Sequence, residues 1–240
     1  MTPLVLVHGF LGGGAQWAGQ VAALSDIRDV IAVDLPGFGA AADQTAPDTI
    51  DGFAQAVLDD LSARGITEFD LLGHSMGGMI VQQIMRKEPT RVKRLVLYGT
   101  GPEGVLPGRF ETISESKRRA AVDGVETTAA RISATWFRHR EKSSGYPACA
   151  AIAAQAGLQA VHAGLDAMEG WSGADNLARI ACPTLVLWGD RDRSYNWDQV
   201  AALWQTIPNA SLAVMPGCSH AVHLEKPDWF NAIVRDFLTG

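Results

Sequence analysis

Gly73-His74-Ser75-Met76-Gly77 is a G-x-S-x-G pentapeptide set between an apolar run, Phe69-Asp70-Leu71-Leu72, and a helix-period segment from Met79 to Met85. A serine on so sharp a strand-to-helix turn holds its hydroxyl clear of the backbone, and the chemistry open to it is nucleophilic attack on a carbonyl. Gly73 and Gly77 leave the backbone the room such a turn needs. The helix that follows points its N-terminus at the same place and favours negative charge developing there. A Gly-rich turn carrying an ordinary exposed serine is the competing reading, and the flanking strand and helix weigh against it.

Serine is a weak nucleophile until a base takes its proton. The chain has six histidines: His8, His74, His139, His162, His220 and His223. In sites built on such an elbow the acid and then the histidine follow the serine in the chain, which removes His8 and His74 as the base. His139 and His162 lie in Ala-rich, helix-period sequence with no strand end nearby. His220 follows the strand-like Ser211 to Met215 and the turn Pro216-Gly217-Cys218-Ser219, where a strand end delivers a side chain to the active edge of a sheet. His223, three residues on, is its rival and reads better as a wall or supporting group of the pocket. For the acid, the run Thr184 to Trp188 opens into Gly189-Asp190-Arg191-Asp192-Arg193. Asp190 is placed to organise the turn through the backbone. Asp192 lies further out, can reach the His220 loop and orient the imidazole, and is the favoured of the two.

Acyl transfer also needs hydrogen-bond donors for an oxyanion. The buried-strand run Pro3 to Val7 is followed by His8-Gly9-Phe10-Leu11-Gly12-Gly13-Gly14, a turn able to offer backbone N–H groups with little obstruction. The expected donors are the N–H groups of Phe10 and of Met76, the residue after the nucleophile; His8 braces the loop. Neither nucleotide-binding glycine pattern is present. Cys149, Cys182 and Cys218 show no paired metal-ligand spacing and suit a reducing cytoplasm. No cofactor and no metal are called for.

These groups need strands to carry them, and the apolar runs supply a parallel α/β sheet. A chain of 240 residues, 47% apolar and 19% charged, suits one substantial core. The net charge of -6 gives no reason to expect nucleic acid or an acidic membrane surface. The opening apolar run is short, lacks a basic leader, and reads as a strand and not a signal peptide; no segment approaches a membrane span. From Gly101 to about Ile180 the pattern changes to alanine-rich helical stretches, Phe110 to Val122, Val125 to Phe137, and others between Pro147 and Met168. The turn run Ser143-Ser144-Gly145-Tyr146-Pro147 separates two of them. The expected organisation is a core of residues 1–100 and 181–240 with a helical cap of residues 101–180 over the catalytic edge. The cap carries nine Lys and Arg against nine Asp and Glu, so it does not demand a strongly charged substrate, though one or two arginines could still hold a carboxylate. Trp136, Phe137, Tyr146 and Trp171 are candidates to line an apolar substrate pocket, and each also suits ordinary helix packing.

Together these pieces resemble the serine-nucleophile members of the α/β-hydrolase superfamily. The resemblance rests on His8-Gly9-Phe10, Asp34-Leu35-Pro36-Gly37-Phe38-Gly39, Gly73 to Gly78, Val92 to Leu97, Gly189 to Asp192, and Gly217 to His220 running into Leu224-Glu225-Lys226-Pro227. It implies an α/β-hydrolase fold with about six strands, because the His-Gly strand is reached at Pro3, where most relatives carry two earlier strands. It also implies Ser75 as nucleophile, Asp192 as acid and His220 as base. The activity it suggests is hydrolysis of a small-to-medium carboxylic ester or lactone through an acyl-enzyme, as in carboxylesterases and enol-lactonases. The same scaffold carries C–C bond hydrolases, a lyase of menaquinone biosynthesis, and low-turnover ligand receptors. After Asp192 this chain reads Arg193-Ser194-Tyr195-Asn196, where relatives usually have a Val-Pro pair.

Overall fold

The computed structural model describes residues 2–105 and 111–240. Six strands, β1 (Leu4–Val7), β2 (Val30–Val33), β3 (Phe69–His74), β4 (Val92–Tyr98), β5 (Thr184–Gly189) and β6 (Ala210–Met215), form one sheet in the order β2-β1-β3-β4-β5-β6. Every neighbouring pair is parallel. Side chains alternate between the faces, as the two-residue period of a strand requires. Leu4, Leu6, Leu72, Val96 and Leu187 enter one core layer, and Val5, Val7, Leu71, Leu95 and Val186 the other. The first layer is closed by α1 (Ala18–Leu24) and α9 (Pro227–Thr239), whose Phe230, Val234 and Leu238 recur every four residues as a single buried stripe. The second is closed by α2 (Ile50–Ala63), α3 (Met76–Lys87) and α8 (Trp197–Thr206). Covering both faces is the condition under which an all-parallel sheet is stable.

Strand order places the site. The chain leaves β1 for the edge at β2, then returns past β1 to β3, so the connections after adjacent β1 and β3 diverge. A crevice opens beyond their C-terminal ends, where open α/β sheets bind ligands. The His8 loop follows β1 and Ser75 follows β3, one on each side of that crevice.

Between β4 and β5 lie α4 (Ile113–Val122), α5 (Val125–Ala134), α6 (Tyr146–Ala153) and α7 (Leu158–Glu169), with α4 packed on α7 and α5 on α6. Thr112 caps α4 by accepting from the Glu115 N–H at 3.1 Å, so that helix begins later than its sequence period suggests; Phe110 lies outside the described residues. α5 stops at Ala134 and not at Phe137, because Thr135 Oγ1 donates to the Ile132 carbonyl at 2.6 Å and the chain turns. Pro147 sits in the first turn of α6, where a missing N–H costs nothing. No single helix among the described residues is long and apolar enough to cross a membrane.

Candidate active site

Ser75 occupies φ 57°, ψ -119°, a conformation that side chains rarely adopt and that costs roughly 1–3 kcal/mol. The surroundings over-determine it. Its N–H donates to the Tyr98 carbonyl at 3.0 Å, and its carbonyl accepts from Gly78 N–H at 2.8 Å and Thr100 Oγ1 at 2.9 Å. A Cβ at Gly73 would lie 2.3 Å from the Gly77 carbonyl oxygen, and one at Gly77 2.3 Å from that of Val7. No other residue fits either place, which is the steric reason for the G-x-S-x-G spacing.

His220 leaves the loop after β6 with its ring buried. Its Nδ1 lies 2.8 Å from Asp192 Oδ2, whose side chain is 0% exposed. Asp192 Oδ1 accepts from the N–H groups of Ser194 at 2.7 Å and Tyr195 at 3.3 Å, so both carboxylate oxygens are engaged. Asp190 faces away and accepts from the Gly217 N–H at 2.6 Å, tying the strand end to the turn before His220. The His220 ring is held between Tyr195, stacked at 5.7 Å, and His74 at 4.5 Å. Its carbonyl accepts from Tyr98 Oη at 2.8 Å and His74 Nε2 at 3.1 Å.

On the other side of the crevice, His8 Nδ1 lies 2.8 Å from the Gly9 carbonyl and can donate to it, while Nε2 accepts from the Leu35 N–H at 3.0 Å. This ring fixes the loop that carries Phe10. Neither the Phe10 N–H nor the Met76 N–H donates to an acceptor among the described residues. Met76 is the first residue of α3, whose first N–H groups have no partner within the helix. Ser75, His220 and Phe10 open on one cleft, walled by Ile132, Thr135, Trp136, Arg140 and Met168 from the insertion and by Arg193, Ser194 and Tyr195 from the Asp192 loop. Ser75 Oγ and His220 face this cleft with no direct hydrogen bond between them.

The family model for the alpha/beta hydrolase fold matches residues 2–227. This chain belongs to that family. A candidate carbamate hydrolase of Klebsiella pneumoniae, RutD, is 29% identical over 243 residues, covering 99% of this chain and 91% of its own. A candidate non-heme chloroperoxidase of Synechocystis is 28% identical over 253 residues, covering 98% and 91%. Among solved structures, a thermophilic esterase from Thermogutta terrifontis, studied with malate bound, is similar at a TM-score of 0.90 and 26% identity, over 99% of this chain and 89% of that one.

In this alpha/beta hydrolase the buried rings on both sides of the cleft floor are held toward their neutral forms. Burial is the largest cause in each case: it lowers His8 to about 4, lowers His223 to about 3, and holds His74 well below the usual histidine range. Burial likewise pushes the Tyr98 phenol well above its usual value. The Tyr98 hydroxyl donates to the His220 carbonyl and lies within reach of two His223 donors, its backbone N–H at 3.2 Å and Nδ1 at 3.0 Å. That arrangement puts the His223 proton on Nδ1. Burial also raises the Cys149 thiol to about 11, and its sulfur accepts from Gln16 Nε2 at 3.3 Å.

Of the five residues expected around the pocket, Trp136 alone lines the main Ser75 cleft among the described residues; His223 borders the small recess beneath it, and Tyr146 lines neither. Phe137 is buried behind it and borders an outer cleft with Arg138 and Gly145. His223 sits under the floor, against Trp17 and Tyr98. Trp171 lies elsewhere, donating from Nε1 to Gln83 Oε1 at 3.3 Å beside a separate cleft. Residues that sequence reasoning did not single out also shape the site. Tyr98 and Tyr195 steady His220, Arg140 and Arg193 line the cleft, and Glu225 accepts from both the Arg138 and Ser219 N–H groups, joining the insertion to the His220 loop. Tyr98 carried a usable signal, as a polar aromatic at the C-terminal end of a strand next to the elbow. The others depend on where the insertion folds back.

Proposed function

We propose that this alpha/beta hydrolase cleaves small-to-medium carboxylic esters or lactones by acyl transfer through Ser75. The observation that carries the reading is the convergence, on one cleft, of a strained serine, a histidine bonded to a buried aspartate, and Phe10 of the loop after β1. His220 Nε2 takes the Ser75 proton as Oγ attacks the carbonyl carbon. Asp192 holds the Nδ1–H tautomer and offsets the imidazolium charge. The Phe10 and Met76 amides receive the oxyanion, each worth on the order of 3 kcal/mol in the transition state. His220 then returns the proton to the leaving alcohol, and water activated by the same imidazole releases the acid. Residues 101–180 serve as a cap over this cleft, with Trp136 part of the substrate wall. The ester reading is supported by the named esterase among the structural relatives; the carbamate hydrolase among the sequence relatives makes carbamates the comparison substrates to include.

Ser75 is the place to test it. A fluorophosphonate should add once, at Ser75, and p-nitrophenyl butyrate should be turned over with butyrate as product; Ser75→Ala should lose both, with activity down by roughly a millionfold. Labelling that persists in Ser75→Ala defeats the proposal, and products of C–C cleavage or elimination from a substrate panel would replace the ester chemistry with another on the same residues.

A further inference from the structure

The insertion is charge-balanced along its sequence, yet its contribution to the cleft is not. Arg140, from the insertion, and Arg193, from the Asp192 loop, both line the cleft that holds Ser75, and no Asp or Glu lines it among the described residues. Asp192, next to Arg193 in the chain, is buried and engaged on both oxygens, and Glu141, next to Arg140, does not line the cleft. The remaining wall is apolar or hydroxylic: Phe10, Ile132, Trp136 and Met168, with Thr135 and Ser194. The cleft therefore presents two cations on an apolar body in a chain whose net charge is -6.

Neither guanidinium is spent on a carboxylate of the chain. Arg131, on α5, pairs with Glu111 at 2.7 Å, but no ion pair involves Arg140 or Arg193 among the described residues. Arg193 uses two of its donors on the carbonyls of Phe137 and Arg138, each at 3.4 Å, which leaves three of the five a guanidinium carries. Those two bonds also tie the Asp192 loop to the insertion. Arg140 has its backbone committed, donating to Phe137 O at 3.2 Å and accepting from Ser143 N–H at 3.0 Å, while its side chain has no hydrogen-bond partner among the described residues. Its φ of +49° makes it the third non-glycine residue in the left-handed region, after Leu11 of the oxyanion loop and Ser75 itself. Two guanidinium groups from separate segments, one anchored and one free, suit the planar, two-oxygen geometry of a carboxylate better than any neutral group.

We infer that the substrate of Ser75 carries a carboxylate remote from its scissile bond, and that Arg140, assisted by Arg193, binds it. The inference rests on the acyl-transfer reading of the cleft and narrows its substrates to anionic esters or lactones with an apolar stretch between the two groups. Neutral esters offer these arginines no charged partner, so the site favours anionic substrates by the added charge-assisted hydrogen bonds.

The test compares mono-p-nitrophenyl adipate with p-nitrophenyl hexanoate, which has the same acyl length and no second carboxylate, after subtraction of spontaneous hydrolysis. The wild type should show the higher kcat/KM for the hemiester, chiefly through KM, with the advantage shrinking as salt is added. Arg140→Gln should reduce the hemiester-to-hexanoate ratio by about tenfold or more, and Arg140→Lys should retain part of it. A hemiester no better than hexanoate, or a ratio unchanged in Arg140→Gln, overturns the inference. Calorimetric titration with adipate keeps the two readings apart, since it needs no turnover. If adipate binds in an Arg140-dependent way but no ester is cleaved, the anion site stands and acyl transfer falls. If hexanoate is cleaved but adipate neither binds nor competes, acyl transfer stands and the anion site falls.

Discussion

The floor of the cleft and the wall above it are held in different ways. On the floor, the His220 carbonyl alone accepts from Tyr98 Oη and His74 Nε2, its ring is fixed by Asp192, and the serine beside it is pinned at both N–H and C=O. On the wall, the Trp136 carbonyl accepts from the Ala221 N–H at 2.9 Å, and the Arg140 side chain has no hydrogen-bond partner among the described residues. Reaction geometry is thus invested in strand ends that the whole core over-determines, while the groups facing the rest of a substrate hang from short helices and turns. The floor tolerates little change. The wall should change with less effect on the proposed chemistry, in keeping with one fold serving several activities.

The sharpest break of the floor is expected at Asp192, the proposed acid. Asp192→Asn keeps the size of the side chain but removes the acceptor that fixes the His220 tautomer, and should lower kcat by about a thousand- to ten-thousandfold with the fold intact. Asp190→Asn weakens a bond to the Gly217 N–H outside the cleft, and should cost more in melting temperature than in rate. Steady-state kinetics beside thermal melts of the two variants decide it, and the reverse pattern would transfer the role to Asp190.

How legible these regions were in the sequence follows the same division. The strands stood out because buried parallel strands read as unbroken apolar runs, such as Leu4-Val5-Leu6-Val7 and Thr184-Leu185-Val186-Leu187-Trp188. The G-x-S-x-G spacing was legible because backbone clearances at Gly73 and Gly77 admit nothing larger. Candidates for the base and acid could be ranked because strand ends converge on one edge of a parallel sheet. The wall gave no comparable signal. Helix period marks that a segment is amphipathic but not which neighbour it will meet, so Trp136 and Trp171 looked alike although one lines the cleft and the other packs beside Gln83. Arg140 is visible only once the turn that follows α5 has set its backbone, and helix period does not mark that turn.

A second way to break the floor is acid. His8, His74 and His223 are neutral in the fold because burial disfavours their charged forms, with His8 lowered to about 4 and His223 to about 3 from an ordinary 6.5. Below that ordinary value the unfolded chain binds protons that the native state refuses. Their contribution is therefore complete above about pH 6.5 and is lost as the pH falls toward about 4, at up to about 1.4 kcal/mol per pH unit for each histidine. The lowered carboxylates, Asp26, Asp51 and Glu115, act in a window further down, as the pH falls through their own values. Denaturant midpoints between pH 7 and 4.5 should fall steeply, and more gently in His223→Gln. A flat profile across that interval would mean the histidines are not the neutral floor they are taken for.

The smallest effect is expected at the wall, where Trp136 stands between the cleft and the His220 loop. Its side chain is nearly buried and borders both the main cleft and the small recess beneath it, beside Gln16 and Cys149. If it shapes the acyl pocket, Trp136→Ala should alter kcat/KM unevenly across acetyl, butyryl and octanoyl p-nitrophenyl esters, by about 1–3 kcal/mol for each methylene-sized mismatch. The acetyl ester should lose least, because its reaction needs only Ser75, His220 and the two amides. The backbone bond from Ala221 to the Trp136 carbonyl survives the substitution, so the insertion stays moored to the His220 loop. Trp136→Leu, which fills more of the space, should fall between wild type and alanine on the longest ester. Equal losses on all three esters would instead make Trp136 a brace, placing it with the floor and erasing the boundary between the two regions at that residue.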